Sequence, residues 1–322
     1  MTLIRRLAMA LALACGLIGG AAHAQLTEVT GFGSNPGNLR MFRYVPAGLP
    51  ANAGLVVMMH GCAQTPADVD VESGWTQLAD AYKFALVFPQ TTFVDPAGQI
   101  PCFRSYDAAH NRRGVGETLS IKQMTDWMRA RYPIAAGRVF AAGFSSGAIH
   151  TPVMLAAYPD VFAAGAILSG HPYGCATNYT EFVGCNVFGR TLTAQQWGDL
   201  ARGAYRGYRG AYPRVSIWHG TLDIAIRESQ AAELVKQWTN LNAIDQTADE
   251  VTVLNGYPHY VYKTAAGEPR VEHYQLTFAG HAIQVNTLGL YTPTCGSIGG
   301  LATQASSICQ VFYVARWFGL VP

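Results

Sequence analysis

The stretch Arg138–Pro159, RVFAAGFSSGAIHTPVMLAAYP, decides how the rest of the chain is read. Arg138–Ala142 is a short apolar run of the kind that forms a buried strand, and Ala148–Tyr158 is a longer alanine-rich run suited to a helix. Between them Gly143-Phe144-Ser145-Ser146-Gly147 fits G-x-S-x-G. Where a strand turns sharply into a helix, the central serine takes a strained conformation, its glycine neighbours let backbones pack closely, and its hydroxyl is lifted above the sheet. The pentapeptide alone is a weak signal, because small-residue turns are common. The strand before it and the helix after it supply the context it needs. Ser145 is then the attacking residue, and Ser146, at the helix start, offers its backbone N–H to a developing oxyanion. The Ser146 hydroxyl is expected to cap locally, and Pro152 to bend or offset the first helical turns.

Further buried strands are expected at Leu55–Met59, Ala85–Phe88, Ala164–Leu168 and Val215–Trp218, with helices at Gly74–Tyr82, Leu119–Arg131 and Glu228–Leu241. Strands alternating with helices imply βαβ units and a mostly parallel sheet. A last strand pair is expected at Thr252–Leu254 and Glu272–Thr277, joined by the polar segment Tyr257–Arg270. Gln90–Gly116, Gly170–Gly189 and Ala201–Pro213 are read as glycine- and aromatic-rich loops.

Residues 1–24 read as an export signal: Arg5 and Arg6, an apolar run from Leu7 to Gly20, and the small-residue site Ala22-His23-Ala24. Residues 25–322 are then one catalytic domain, and no membrane association is expected after cleavage. Without Arg5 and Arg6, Lys+Arg and Asp+Glu both stand at 20, so no basic surface is left to favour nucleic acid. Beyond Cys15 six cysteines remain, and an even count in an exported chain reads as three disulfides. Sequence alone does not choose the pairing. The one expected is Cys62–Cys102, Cys175–Cys185 and Cys295–Cys309. A metal site is not expected, since no Cys or His cluster has ligand spacing.

A serine on such a turn needs a second oxyanion donor from a loop after an earlier strand, and LVVMMHGCAQ (55–64) supplies it: Gly61 permits the turn and the Cys62 N–H points inward. His60, ending a strand, is read as ordering that loop. The acid and base should follow the serine in that order. Asp223 lies just past the strand VSIWHG, on the end of the sheet where such sites form. His281 follows Gly280 after EHYQLTFAG and is the last histidine of the chain. His219, His259 and His273 have structural explanations at strand ends, in the polar connection and along a strand. Together Ser145, Asp223 and His281 make a nucleophile, an orienting acid and a base, which needs no cofactor.

The blocks LVVMMHGCAQ, WTQLADAYKFALVFPQ (75–90), NRRGVGETLSI (111–121), RVFAAGFSSGA, AAYPDVFAAGAILSG (156–170), HGTLDIAI (219–226) and AGHAI (279–283) resemble secreted poly(3-hydroxybutyrate) depolymerases and the related feruloyl and acetylxylan esterases. The resemblance implies a single-domain α/β-hydrolase fold, stapled by disulfides, with a mostly parallel central sheet flanked by helices. It implies Ser145, Asp223 and His281 as triad, with Cys62 and Ser146 at the oxyanion hole. The substrate it implies is a polymeric or oligomeric polyhydroxyalkanoate ester, with feruloyl or acetyl esters of plant polysaccharide as the alternative. A non-catalytic binding protein on this scaffold is the remaining reading, against which the intact Ser–Asp–His order weighs. Relatives often carry a tryptophan-bearing block where this chain has Cys102-Phe103-Arg104-Ser105-Tyr106. Trp75, Phe103, Tyr106 and YRGYRGAYP (205–213) are therefore the expected aromatic contacts to substrate.

Overall fold

In the computed structural model, residues 26–94, 96, 100–289, 293–300 and 302–322 are described; the expected signal segment lies outside them. The core of the sheet is built from β3 (Ala53–Met59), β4 (Ala85–Gln90), β5 (Ile134–Phe144), β6 (Ala164–Leu168), β7 (Arg214–Gly220) and β10 (Pro269–Leu276), all mutually parallel. Antiparallel strands extend both sides: β1 (Thr27–Val29) and β2 (Arg40–Tyr44) beside β4, β8 (Glu250–Leu254) and β9 (Tyr257–Lys263) beside β10. The order is β1-β2-β4-β3-β5-β6-β7-β10-β9-β8. A small parallel pair, β11 (Ile283–Val285) and β12 (Thr303–Ala305), follows the main sheet.

The central strands are largely apolar because both faces are covered, and β3 and β6 carry no polar side chain. Along β3, Leu55, Val57 and Met59 pack into one layer with Ile121, Val153, Leu234 and Trp238. Val56 and Met58 pack into the other with Trp75, Leu78, Val311 and Val314. The first layer belongs to helices α3 (Gly116–Arg131), α4 (Ser146–Ala157) and α7 (Gln230–Leu241), the second to α2 (Trp75–Tyr82) and α8 (Gln310–Trp317). Three further helices, α1 (Pro66–Ser73), α5 (Tyr179–Val187) and α6 (Ala194–Arg202), complete the described set.

The chain leaves β3 toward β4 on one side, whereas β5, on the other side of β3, leads on to β6. Neighbouring strands whose connections diverge open a crevice at their carboxyl ends. The loop after β3 carries His60–Cys62 and the turn after β5 carries Ser145. All three expected disulfides are present: Cys62–Cys102, Cys175–Cys185 and Cys295–Cys309.

Two expectations are corrected. The segment 257–270 is not merely a polar connection, because its first half is β9, paired to both β8 and β10. The turn between β8 and β9 is Asn255-Gly256, with φ of 50° and 92°, the left-handed pair that a two-residue hairpin requires. The loop expected at 170–189 contains α5, started by Asn178, whose side chain accepts from the Glu181 N–H. Pro152 lies inside α4, which runs on through it as one helix. The Ala148 carbonyl that Pro152 leaves without its helical donor faces Gly170, where a Cβ would come within 2.8 Å of it.

Truncation should therefore separate core from edge. Leu55→Ala is expected to lower unfolding free energy in urea by about 2–5 kcal/mol. Val251→Ala, on the exposed edge strand β8, should change it by about 0.5 kcal/mol or less. Equal effects would contradict this layering.

Candidate active site

Ser145 stands between β5 and α4 with φ 54° and ψ −118°, a strained backbone for a residue with a side chain. Its N–H donates to the Leu168 carbonyl (3.0 Å) and its carbonyl accepts from Ile149 N–H (2.9 Å), so strand and helix both hold the turn. The two glycines are there for space. A Cβ at Gly143 would lie 2.2 Å from the Gly147 carbonyl oxygen, and one at Gly147 would lie 2.2 Å from that of Met59. The turn after β5 thus sits directly on the end of β3.

Asp223 follows β7 in a turn closed by its own N–H on the Gly220 carbonyl. Its Oδ1 accepts from the N–H groups of Ala225 (2.9 Å) and Ile226 (2.8 Å). Its Oδ2 accepts from His281 Nδ1 at 2.7 Å, with His219 Nε2 at 3.4 Å. Burial alone would raise the carboxyl pKa, but the hydrogen bonds from His219 and His281 overrule it and hold Asp223 well below the usual carboxylate range. An ionised carboxylate only accepts, so Nδ1 of His281 carries the proton and Nε2 is left as the acceptor. The His281 ring packs against Phe144, the residue before Ser145, at 4.9 Å between centroids. Among the described residues no hydrogen bond closes between Ser145 Oγ and His281 Nε2; such bonds commonly tighten only with substrate bound.

Three N–H groups of the loop after β3 are engaged. Gly61 N–H donates to Gln64 Oε1 (2.7 Å), Ala63 N–H to the Pro101 carbonyl (3.1 Å) and Gln64 N–H to the Gly61 carbonyl (3.3 Å). The Cys62 N–H has no acceptor among the described residues, nor has that of Ser146 at the start of α4. A Cβ at Gly61 would lie 3.2 Å from Ser145 Cβ, which places this loop against the serine. His60 orders the loop as expected. Its Nδ1–H donates to the Gly61 carbonyl (2.7 Å) and its Nε2 accepts from Thr91 N–H (3.3 Å). Burial pushes its pKa down to about 4 and keeps it neutral.

One short segment braces both open N–H groups. Cys102 is disulfide-bonded to Cys62. The next residue, Phe103, donates its N–H to Ser146 Oγ at 2.8 Å. The residue after that, Arg104, donates its N–H to Glu117 Oε2 at 2.7 Å. This corrects the expected local cap: the Ser146 hydroxyl accepts from a different loop, and α4 has no side-chain cap at its first turn. Burial pushes the Glu117 carboxyl up to about 7 against the opposing pull of Arg104 and the Thr91 hydroxyl.

Of the expected aromatic contacts, two are corrected. Trp75 and Phe103 have no exposed surface. Trp75 packs edge-on to Phe84 under the sheet, and Phe103 lies between His60 and His150 as the filler of the brace. Neither can touch a substrate. Tyr106 is partly exposed and packs on Tyr179 and Phe182. The residues that sequence reasoning passed over are Leu222, Ile224 and Phe278, 57%, 94% and 79% exposed, in the loops that carry Asp223 and His281. Leu222 N–H donates to the Ala279 carbonyl and Phe278 N–H to Thr221 Oγ1 (both 2.9 Å), joining the two loops. Phe278 is held at φ 61°, a conformation a bulky side chain rarely takes.

The two serines should separate on substitution. Ser145→Ala is expected to abolish ester turnover with little loss of stability. Ser146→Ala keeps its N–H and some activity, but leaves the buried Phe103 N–H unpaired and should cost about 1–3 kcal/mol in urea unfolding. Unchanged stability in Ser146→Ala would contradict the brace. Because the Glu117 pKa is raised from 4.5 on folding, its stabilising share is full below about pH 4.5 and is lost as pH rises through about 7. Glu117→Gln should flatten the fall in stability across that window, by as much as ~3 kcal/mol. An unchanged pH profile of the unfolding midpoint would contradict it.

Comparison with known proteins agrees with this architecture. The chain is 45% identical over 296 residues to poly(3-hydroxyalkanoate) depolymerase C of Paucimonas lemoignei, covering 92% of this chain and 70% of that protein. It is 34% identical to feruloyl esterase B of Talaromyces funiculosus, covering 81% of this chain and 74% of the relative. Among solved structures, the acetyl xylan esterase from Aspergillus awamori superposes with a TM-score of 0.76 at 27% identity, over 92% of this chain and all of the other. The family model described as "Esterase PHB depolymerase" matches residues 39–252. The chain is a member of the esterase PHB depolymerase family, with the α/β-hydrolase fold.

Proposed function

We propose that the chain is a secreted serine esterase that cleaves the ester bonds of polyhydroxyalkanoates. Residues 1–24 direct its export and residues 25–322 form the catalytic domain. Ser145 Oγ attacks the ester carbonyl as His281 Nε2 takes its proton, and the charged Asp223 stabilises the imidazolium through Nδ1–H. The N–H groups of Cys62 and Ser146 stabilise the tetrahedral oxyanion. His281 then protonates the departing alkoxide, and water attacks the acyl-enzyme by the same route.

The observation that carries the polyester reading is the apolar rim. Leu222, Ile224 and Phe278 stand exposed on the loops of the acid and the base. An exposed apolar group at a site mouth favours contact with an extended apolar surface, which a solid polyester presents and a hydrated polysaccharide does not. The 45% identity to a poly(3-hydroxyalkanoate) depolymerase supports the same reading. The second reading, a feruloyl or acetylxylan esterase, is supported by the 34% identity to feruloyl esterase B and the likeness to an acetyl xylan esterase.

A substrate panel decides between them. Clearing of a poly(3-hydroxybutyrate) suspension, lost in Ser145→Ala, is the expected result. Release from methyl ferulate or acetylated xylan without clearing would transfer the assignment to the second reading. The rim is tested separately by the triple variant Leu222→Ser, Ile224→Ser and Phe278→Ser. At about 1.5–3 kcal/mol for each fully buried apolar side chain, it should adsorb to polymer film more than about tenfold more weakly. Its hydrolysis of soluble p-nitrophenyl butyrate should stay within about twofold. Undiminished adsorption would remove the rim from the account.

A further inference from the structure

A second cleft, of about 610 Å³, opens beside α4 between the loop that follows the brace, the loop after β6 and the end of α6. That volume lies within the range of about 300–1,000 Å³ typical of clefts that hold small organic ligands. Its cationic lining is Arg112, Arg113 and Arg206, and no Asp or Glu lies among the described residues that line it. Arg113 is engaged: it forms a two-pronged pair with Asp160 (2.6 and 2.8 Å) and lies over the rings of Tyr158 and Tyr205. Arg112 and Arg206 form no ion pair or side-chain hydrogen bond among the described residues. Tyr106, Tyr173, Tyr205 and Leu200 supply apolar surface between the cations. In a chain with only 22 basic and 20 acidic residues in 322, this is a local concentration of one sign.

The walls are fixed before any ligand arrives. Asn111 Nδ2 donates to the Ser105 carbonyl (2.9 Å) on one side. On the other, the Cys175–Cys185 disulfide and Arg190 Nη1, which donates to the Gly174 (3.3 Å) and Cys175 (3.0 Å) carbonyls, hold the loop. Arg113 N–H reaches across to the Ala204 carbonyl (3.4 Å). The cleft also adjoins the elbow. Tyr106, Tyr173, Gly174 and Ala176 line a smaller void together with Ile149, whose N–H bonds the Ser145 carbonyl. Ligand binding to a prebuilt site loses little to ordering of the protein.

A neutral ester offers an arginine only an uncharged carbonyl acceptor, whereas its hydrolysis leaves a carboxylate at every cut. Guanidinium groups recognise carboxylates by paired N–H donors, and tyrosine faces suit the apolar units of the attached chain. The geometry points to a binding site, in the cleft lined by Arg112 and Arg206, for the carboxylate end of a short chain of ester-linked hydroxy acids. The choice of chain rests on the polyester reading; the cationic cleft does not. Occupied this way, the cleft would select acid-ended oligomers over the neutral interior of the polymer.

Binding tests this without turnover. The full chain carrying Ser145→Ala is titrated in a calorimeter at low ionic strength with the linear trimer of 3-hydroxybutyrate and with its methyl ester. The acid is expected to bind about two- to fivefold more tightly than the ester, as for an exposed ion pair. That preference should shrink with added salt and vanish when Arg112→Met and Arg206→Met are added, with the thermal midpoint unchanged. Equal affinity of acid and ester, no binding of the acid, or a preference that survives the two substitutions would each overturn the assignment. Inorganic phosphate displacing the trimer as well as free trimer acid does would also overturn it, as a site for small anions at large. Because hydrolysis is not read, failure of the chain to clear polymer remains a separate result about the proposed function.

Discussion

The close approach of two turns, one ending β3 and the other ending β5, is the constraint on which the rest of the structure depends. The strands are hydrogen-bonded neighbours up to Met59 and Gly143, and their chains then leave in opposite directions. Gly61, Gly143 and Gly147 keep side chains out of the contact, so that a strained serine and an open N–H can face one crevice. Strain of this kind, roughly 1–3 kcal/mol, persists only where the surroundings over-determine it. Here a hydrogen bond to β6, the start of α4 and the wall of the β3 loop all do so.

Charge at the site is managed by burial with partners. Asp223 is almost fully enclosed, yet two N–H groups and two imidazoles favour its ionised form. The nearby His60 and His150 are kept neutral by burial. The proposed base, His281, is the partly exposed histidine next to the serine turn, bound to a carboxylate through its far nitrogen. Leu222 and Ile224, on either side of the buried Asp223, are exposed.

Strands buried on both faces were legible as short apolar runs bounded by turn residues, and Ser145, Asp223 and His281 stood out because each follows the end of a strand. The β8–β9 hairpin was missed although Asn255-Gly256 announces it, since its second strand alternates tyrosine, histidine and valine and reads as polar. Two of the aromatic contacts failed for a different reason. Composition says that Trp75 and Phe103 are large and apolar, but burial depends on what α2 and the segment after Cys102 pack against, which is a tertiary fact. The exposed Leu222 and Ile224 look like core residues for the same reason. The second role of Ser146 was likewise invisible, because its partner lies 43 residues away in sequence.

The proposed chemistry requires the Cys62 and Ser146 N–H groups to form one oxyanion site above Ser145. The most direct measurement is a crystal structure of the chain inactivated by an alkyl phosphonate. The predicted adduct is on Ser145 Oγ, with the phosphonyl oxygen about 2.7–3.1 Å from both N–H nitrogens and His281 Nε2 beside the leaving-group oxygen. An adduct on another residue, or a phosphonyl oxygen bonded to neither N–H, would contradict it.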